Sequence, residues 1–277
     1  MSAASGGSWA RRLLARPAPA AGVELTWLGQ SGFVLRADGA TLLLDPFLSP
    51  GDDRVVAPPD RAAAFTGLDG VLITHEHIDH LDEDACRALA VASPDARFAV
   101  PRPIVDRLTA LGMAAERVVA MQPGESASFG SATVTATAAC HGVHVADAYT
   151  LGRELSGGDV RFLGYVVAAG GVGVYHSGDT LDFDGLAESV RAIGADVALL
   201  PINGRSPERE AQDLVGNLEA DDAAALAAAA GARVAVPTHY EMFAANLGDP
   251  GAFVAAAARH DALAALVPAH FAPVVLG

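Results

Sequence analysis

Short apolar runs alternate with loops and helical stretches along the chain. VELTWLG, from Val23, has the alternating pattern of a strand, and GFVLR and TLLLD follow as two more strands joined at Asp38-Gly39, a typical hairpin turn. After a loop rich in proline and glycine comes the apolar strand GVLITHEH. LDEDACRALA then has helical spacing, with Asp82 as its N-cap. The first half is therefore predicted to contain hairpins and then a strand–helix unit.

The second half repeats this order. SATVTATAAC is predicted to be a strand, and RFLGYVVAAGGVGVYHSGDT a hairpin that turns at Gly170-Gly171. A helix ending at Gly194, the strand ADVALLPIN, an alanine-rich helix over 219–230 and the strand RVAVPTH follow. Apolar strands alternating with helices predict an α/β fold with buried sheets, and the repeated order suggests two related halves.

Length and composition favour one globular domain. The chain has 277 residues, of which 51% are hydrophobic and 18% charged. We expect residues 23–277 to form a single domain. Residues 1–22, rich in serine, glycine, alanine and proline, are predicted to be a flexible arm, with an amphipathic helix over 9–14 as the alternative.

Charge and cysteine content limit which partners and which cellular location are expected. The net charge of −15 argues against nucleic-acid binding, which depends on Lys and Arg. No apolar run is long enough for a stable membrane insertion. Only two cysteines are present, so a reducing, cytoplasmic location is the expectation. The alanine-rich helices could also build a homo-oligomer interface.

The stretch ITHEHIDHLD contains a cluster of possible metal ligands. It places His75, His77, Asp79 and His80 within six positions. Imidazole and carboxylate groups suit a borderline-soft divalent metal. His75 and His77, two apart in an extended segment, point the same way, whereas Asp79 and His80 fall where the chain turns into the helix. The stretch therefore predicts ligands for two neighbouring metals, completed by distant residues.

Distant residues at other strand ends are suited to complete these sites. His141, Asp179 and His239 each follow a predicted strand, where a rigid sheet aims loop residues. His144 is a competitor of His141. Asp45 either accepts a hydrogen bond from a metal-binding histidine and so fixes its tautomer, or is a turn residue before a proline.

A second set of polar residues follows the strand ADVALLPIN. Asn203, Arg205 and Arg209 would suit an anionic substrate group, or form a solvated loop with ion pairs to nearby glutamates. Tyr240 either faces the pocket or packs in the core.

The stretch HEHIDH at 75–80 resembles the signature of the metallo-β-lactamase superfamily. The resemblance covers roughly residues 23–270, with further matches in the family's chain order at His141, at Asp179 in SGDT and at His239 in PTH. It implies a four-layer αβ/βα sandwich with a metal site at the edge of its two sheets. By this resemblance one metal is held by His75, His77 and His141, the other by Asp79, His80 and His239, and Asp179 bridges them.

Three further segments, WLGQSGFVLR, LLLDPFLS and PINGRSPERE, resemble the ascorbate-6-phosphate-lactonase-like branch, although the NGR-x-x-x-R segment departs from the lactonases. The resemblance implies a hydrolase that uses a hydroxide between two divalent ions, with Asp79 and Asp179 as catalytic residues. Zinc or manganese is expected, and iron also fits. The expected substrate is a small, anionic lactone or phosphorylated carbohydrate-like compound. The alternatives are a phosphodiesterase acting on a phospholipid or nucleotide, and a non-hydrolytic iron redox or metal-binding protein.

Overall fold

Two seven-stranded mixed sheets face each other, as seen in a computed structural model that describes residues 8–277. The first sheet contains β1 (Val23–Gly29), β2 (Gly32–Ala37), β3 (Ala40–Leu44), β4 (Gly70–Leu72), β5 (Arg97–Pro101), β6 (Val118–Met121) and β14 (Pro273–Leu276). The second contains β7 (Ser126–Phe129), β8 (Ala132–Ala138), β9 (Leu163–Ala169), β10 (Val172–His176), β11 (Val197–Pro201), β12 (Val234–Thr238) and β13 (Ala264–Ala265).

Both sheets have the same succession of strand pairings. The first runs β14-β1-β2-β3-β4-β5-β6, with three antiparallel pairings followed by three parallel ones. The second runs β7-β8-β9-β10-β11-β12-β13 with the same sequence of pairings. The two predicted halves, each with hairpins first and strand–helix units afterwards, are therefore present in the topology.

Helices cover the outer faces of the sheets. Against the first sheet lie α1 (Trp9–Leu14), α2 (Glu83–Ala92) and α3 (Val105–Ala110). Against the second lie α4 (Leu186–Ile193), α6 (Ala220–Ala229) and α7 (Pro250–Ala257), while the single-turn helix α5 (Pro207–Glu210) sits in a loop. Short 3₁₀ turns occur at Ala62–Ala64, Arg102–Ile104, Ala115–Arg117, Val145–Asp147 and Glu154–Ser156. This layering confirms the predicted α/β sandwich.

The apolar core is divided by the sheets into three layers. The central layer, between the sheets, contains Trp27 and Leu35 from the first sheet and Val134 and Val167 from the second. The outer layers bury the helices against each sheet. Because both faces of their sheets are covered, β1, β2 and β10 are buried along their whole length. The two charged residues buried there, Glu24 and Arg36, pair with each other at 2.8 Å.

The N-terminal segment differs from its prediction. Residues 1–7 of the predicted flexible arm lie outside the described residues, but Trp9–Leu14 form helix α1. Ala10 and Leu13 are buried in the first outer layer, and Arg36 donates a hydrogen bond of 3.0 Å to the carbonyl of Leu13. The expectation of a loose arm is wrong for this stretch, because its apolar face is covered by the sheet. Between residues 8 and 277, no helix combines the length and apolarity needed to cross a membrane.

Candidate metal centre

The strand ends of both sheets bring the predicted site residues to one edge. Asp45 directly follows β3, and His75 follows β4, its parallel neighbour. In the second sheet Asp179 comes three residues after β10, and His239 directly follows β12. Because parallel strands end at a common edge, these loops converge there.

The first ligand group consists of His75, His77, His141 and Asp179, whose donor atoms all lie within 4.8 Å of one another. His77 Nδ1 lies 3.0 Å from His75 Nε2 and 3.3 Å from His141 Nε2. Asp179 Oδ2 lies 3.6 Å from His141 Nε2. His75 and His141 are buried, and His77 is half-buried. This group could hold one metal ion.

The second ligand group consists of Asp79, His80 and His239, also within 4.8 Å of one another. Asp79 Oδ2 is 3.7 Å from His80 Nε2 and 3.2 Å from His239 Nε2. Asp179 adjoins this group too, with Oδ1 3.2 Å from His80 Nε2 and Oδ2 3.2 Å from His239 Nε2. The structure therefore brings all seven predicted side chains together, with Asp179 between the two groups.

Asp45 supports the second group from behind. Its buried carboxylate accepts hydrogen bonds from His80 Nδ1 at 2.7 Å and from His176 Nε2 at 2.8 Å. The backbone N–H and the hydroxyl of Thr74 donate to it at 2.8 and 2.7 Å. Asp45 has φ 38°, a conformation that few non-glycine residues adopt, so the surrounding bonds hold it in place.

Two central atoms lack hydrogen-bond partners among the described residues. His80 Nε2 and Asp179 Oδ1 are both buried and face each other across 3.2 Å. Buried polar atoms are nearly always paired, because an unpaired one forfeits its hydration without compensation. A cation between imidazole nitrogens and carboxylate oxygens would satisfy both, so these residues fit a divalent metal.

The electrostatics differ between the two groups. Burial lowers the pKa of His141 to about 3 and that of His75 well below its ordinary value, so both imidazoles are neutral. Burial also disfavours charge on His239, but the Asp179 carboxylate and hydrogen bonds with both aspartates outweigh it and raise its pKa to about 10. Burial alone would raise the pKa of Asp179, but the positive charges of His239 and His80 outweigh burial, and the pKa lies well below the usual range. Positive charge is therefore favoured on His239, beside the aspartates, and disfavoured on His75 and His141.

The sequence-based reasoning missed two residues of this centre. His176, the last residue of β10, donates to Asp45 beside His80. Gln30, directly after β1, places its amide nitrogen 2.6 Å from Asp79 Oδ2 and 2.9 Å from His239 Nε2. Each lies at the end of a strand at the edge that carries the histidines, and this position is the signal that could have identified them.

A cleft of about 1000 Å³ opens above the centre, with His77, Asp79, Asp179 and His239 among its lining residues. Its apolar lining residues are Val55, Ile78, Val143, Leu214, Val215, Phe243, Ala244 and Ala245. Its charged rim includes Asp52, Asp53, Asp213 and Arg54. The Arg54 guanidinium is held by the carbonyls of Phe47 and Ser49 at 3.0 and 2.8 Å. The cleft is thus mostly apolar, with a rim that carries more negative than positive charge.

The predicted anion-binding residues do not line this cleft. Arg205 stacks 3.7 Å above the ring of Tyr149 and pairs with Glu210 at 3.0 Å. Arg209 donates to the carbonyl of Asn203 at 2.7 Å and to the side chain of Asn246 at 2.6 Å.

Asn203 and Tyr240 also contact other residues of the fold and do not line the cleft. Asn203 is buried and bonded to Asn217 and Asn246, and Tyr240 packs against Trp27 with ring centroids 5.3 Å apart. Arg205 thus has a local ion pair, Arg209 is bonded to uncharged oxygens, and Tyr240 is a partly buried residue packed against the core.

The geometry also separates His141 from its competitor. His144 points to the rim, where its Nδ1 lies 2.7 Å from Asp213 Oδ2 and its side chain is 66% exposed. His141 is fully buried in the first ligand group. Burial beneath the cleft therefore favours His141 as the ligand.

Comparisons with known proteins identify the family of the chain. Residues 40–240 match the family model of the beta-lactamase superfamily domain. A UPF0173 metal-dependent hydrolase of Methanopyrus kandleri is 32% identical over 240 residues, which are 83% of this chain and 90% of that protein. The chain therefore belongs to the metallo-β-lactamase superfamily and, within it, to the UPF0173 metal-dependent hydrolases.

Solved structures share the fold. Igni18, a metallo hydrolase from Ignicoccus hospitalis, superposes with a TM-score of 0.67 at 23% identity, covering 92% of this chain and 98% of that one. An isothiocyanate hydrolase from Delia radicum gut bacteria superposes with a TM-score of 0.69 at 20% identity, covering 91% and 99% of the respective chains.

Proposed function

We propose that this metal-dependent hydrolase holds two divalent ions and cleaves a small, uncharged lactone or ester. In the proposal His75, His77 and His141 hold one ion, Asp79, His80 and His239 hold the other, and Asp179 serves both. Zinc and manganese suit these nitrogen and oxygen donors, and so does iron. The proposed lactone follows from the resemblance to the ascorbate-6-phosphate-lactonase-like branch, but the proposed substrate carries no phosphate.

The observation that carries the proposal is the position of Asp179. Its two oxygens face both groups, Oδ1 towards His80 at 3.2 Å and Oδ2 towards His239 at 3.2 Å and His141 at 3.6 Å. A carboxylate that lies between two neighbouring sets of imidazole and carboxylate groups is suited to serve two ions at once, as two-metal hydrolysis uses.

Each side chain of the centre then has a defined task. When bound, two divalent ions supply a hydroxide nucleophile near neutral pH and polarise the oxygen of the bond under attack. Asp79 and Asp179, both on the floor of the cleft, orient the nucleophile and accept its hydrogen bond. Asp45 keeps the Nδ1 proton of His80 in place, so that Nε2 faces the centre as an acceptor.

The walls of the cleft favour an uncharged substrate. Residues such as Val55, Val143 and Phe243 supply apolar contact, and the carboxylates of Asp53 and Asp213 at the rim repel anions. Arg205 and Arg209, which suggested an anionic substrate, are engaged elsewhere. The proposal therefore keeps the lactone and leaves out the phosphorylated compound.

The test compares metal-free protein with protein reloaded with zinc or manganese. We expect about two ions per chain by elemental analysis, and hydrolysis of uncharged lactones or aryl esters in preference to phosphate monoesters and diesters. Asp179→Asn should reduce hydrolysis by more than about 100-fold, because it weakens both groups. Asp261→Asn, at an exposed position, is the matched control.

Two results would reject the proposal. Preference for phosphate esters would overturn the substrate assignment, and full hydrolysis by the metal-free protein would overturn the metal mechanism.

A further inference from the structure

Gln30 has a backbone that the fold constrains strongly. Its φ is 53°, in the left-handed region that non-glycine residues rarely adopt. The Gln30 N–H donates to Glu241 Oε1 at 2.9 Å, and its carbonyl accepts from Trp27 Nε1 at 2.9 Å and from the backbone of His239 at 3.2 Å. A strained residue held from several sides is a frequent feature of functional sites.

These bonds aim the Gln30 side chain into the second ligand group. The residue is 1% exposed. Its amide nitrogen lies 2.6 Å from Asp79 Oδ2 and 2.9 Å from His239 Nε2, while those two atoms are 3.2 Å apart. Donor atoms about 2.1 Å from one ion are about 3 Å apart at neighbouring corners of its coordination shell. The end of the Gln30 side chain is thus at the spacing of a further ligand.

The hydrogen bonds of this trio are in conflict without a cation. His239 Nε2 has carboxylate oxygens of Asp79 and Asp179 at 3.2 Å, which call for a proton on the nitrogen. That proton would oppose the amide N–H of Gln30 at 2.9 Å. Without the proton, the nitrogen lone pair suits the amide but faces two carboxylates, and the buried Nδ1–H has no acceptor among the described residues.

Turning the amide over does not remove the conflict. It would place the Gln30 oxygen against the Asp79 carboxylate. With a cation, the same turn gives three lone pairs directed at one positive charge, from Asp79 Oδ2, His239 Nε2 and Gln30 Oε1. Glutamine oxygen is an acceptable ligand for a hard or borderline divalent ion.

We infer that Gln30 is an additional ligand of the second metal, through its amide oxygen after a half-turn of the amide. This inference rests on the proposed two-metal function. It adds an uncharged oxygen to a group that otherwise offers one carboxylate and two imidazoles beside Asp179. Such a donor favours ions that accept more than four ligands over those restricted to tetrahedral coordination.

The experiment measures metal affinity by titrating metal-free protein with Mn²⁺ and Co²⁺ against a competing chelator. Gln30→Leu should lower affinity for the second ion by about 10- to 100-fold and leave the first ion bound. The visible absorption of the Co²⁺ protein should become more intense, as fewer ligands remain. Gln30→Glu, which supplies an oxygen but no N–H, should restore affinity to at least the wild-type value. Gln122→Leu, whose amide is bonded to the carbonyls of Met121 and Val160 outside the cleft, is the matched control and should bind both ions as wild type does.

Gln30→Asn protects the test against misfolding, because asparagine tolerates the left-handed conformation but is one methylene shorter. Its affinity for the second ion should fall as that of Gln30→Leu does, while it should unfold like wild type in a chelator. Wild-type affinity for both ions in Gln30→Leu and Gln30→Asn would overturn the inference and leave the proposed function intact. Weaker binding by Gln30→Glu than by Gln30→Leu would also overturn it, since this would make Gln30 a hydrogen-bond donor to Asp79. A wild-type protein that binds no second ion would reject both.

Discussion

Asp45 and His80 form a fully buried pair, with His80 Nδ1 2.7 Å from Asp45 Oδ2. Asp45 directly follows β3, and His80 lies in the segment that joins the neighbouring parallel strand β4 to helix α2, so their contact links the edge of the first sheet to the second ligand group. A histidine that donates from Nδ1 has its Nε2 lone pair free, so Asp45 determines which nitrogen faces the centre.

Asp45→Asn should therefore weaken binding of the second ion. The amide can present a donor to His80, which favours the wrong tautomer, and we expect affinity for one of two ions to fall about 10- to 100-fold. Chelator competition monitored by elemental analysis measures this. Asp261→Asn serves as the control for the charge change, and unchanged affinity in Asp45→Asn would show that the pair serves stability alone.

His77 and His144 both line the cleft, but only His77 belongs to a ligand group. His77→Ala should remove the first ion and reduce metal-dependent hydrolysis by more than about 100-fold, beyond the usual cost of losing an outer partner. His144→Ala should keep the metal content of wild type, because its ring pairs with Asp213 at the exposed rim. Equal metal content in the two variants would refute the ligand assignment.

The strand ends explain how much of this centre could be predicted. His75, Asp179 and His239 are close to the ends of strands whose apolar patterns are clear in the sequence, so their convergence follows from the parallel pairings of the fold. Gln30 was missed because an uncharged amide gives no metal signal, and its orientation depends on a positive φ and on contacts with the distant residues Glu241 and His239.

Long side chains on loops were harder to predict than the strand ends. Arg205 has enough reach for either the cleft or the loop, and the choice is made by Glu210 and the ring of Tyr149. Helix α1 could not be established from sequence, because a stretch of six residues is too short to form a stable helix alone and terminal segments are often disordered. It forms because the first sheet buries Ala10 and Leu13.

The metal-free protein should become less stable as pH rises from about 6.5 to about 10. The pKa of His239 is raised from 6.5 to about 10 in the folded state, so its proton stabilises that state fully below 6.5, and this contribution is lost as pH passes through 10. Urea unfolding in a chelator at pH 6.5 and pH 9.5 measures the loss.

His239→Asn is the matched variant for this pH effect, since asparagine tolerates the φ of 58° at this position. The drop in unfolding free energy between the two pH values should be smaller in this variant. An equal drop in both proteins would assign the pH dependence to other groups.

Arg205→Ala should leave both the KM and the metal content unchanged. The Arg205 guanidinium pairs with Glu210 and stacks on Tyr149, and the cleft lining within residues 8–277 does not include it. Phe243→Ala is the matched comparison, because Phe243 contributes to the apolar wall. Phe243 is half-buried, and covering its ring with substrate is worth up to about 1.5–3 kcal/mol, so its loss should raise the KM for an uncharged lactone or ester by about tenfold. Steady-state kinetics of both variants with the best substrate of the screen measure these effects. A raised KM in Arg205→Ala with an unchanged KM in Phe243→Ala would contradict the prediction. It would show that the substrate contacts Arg205 and would support an anionic substrate.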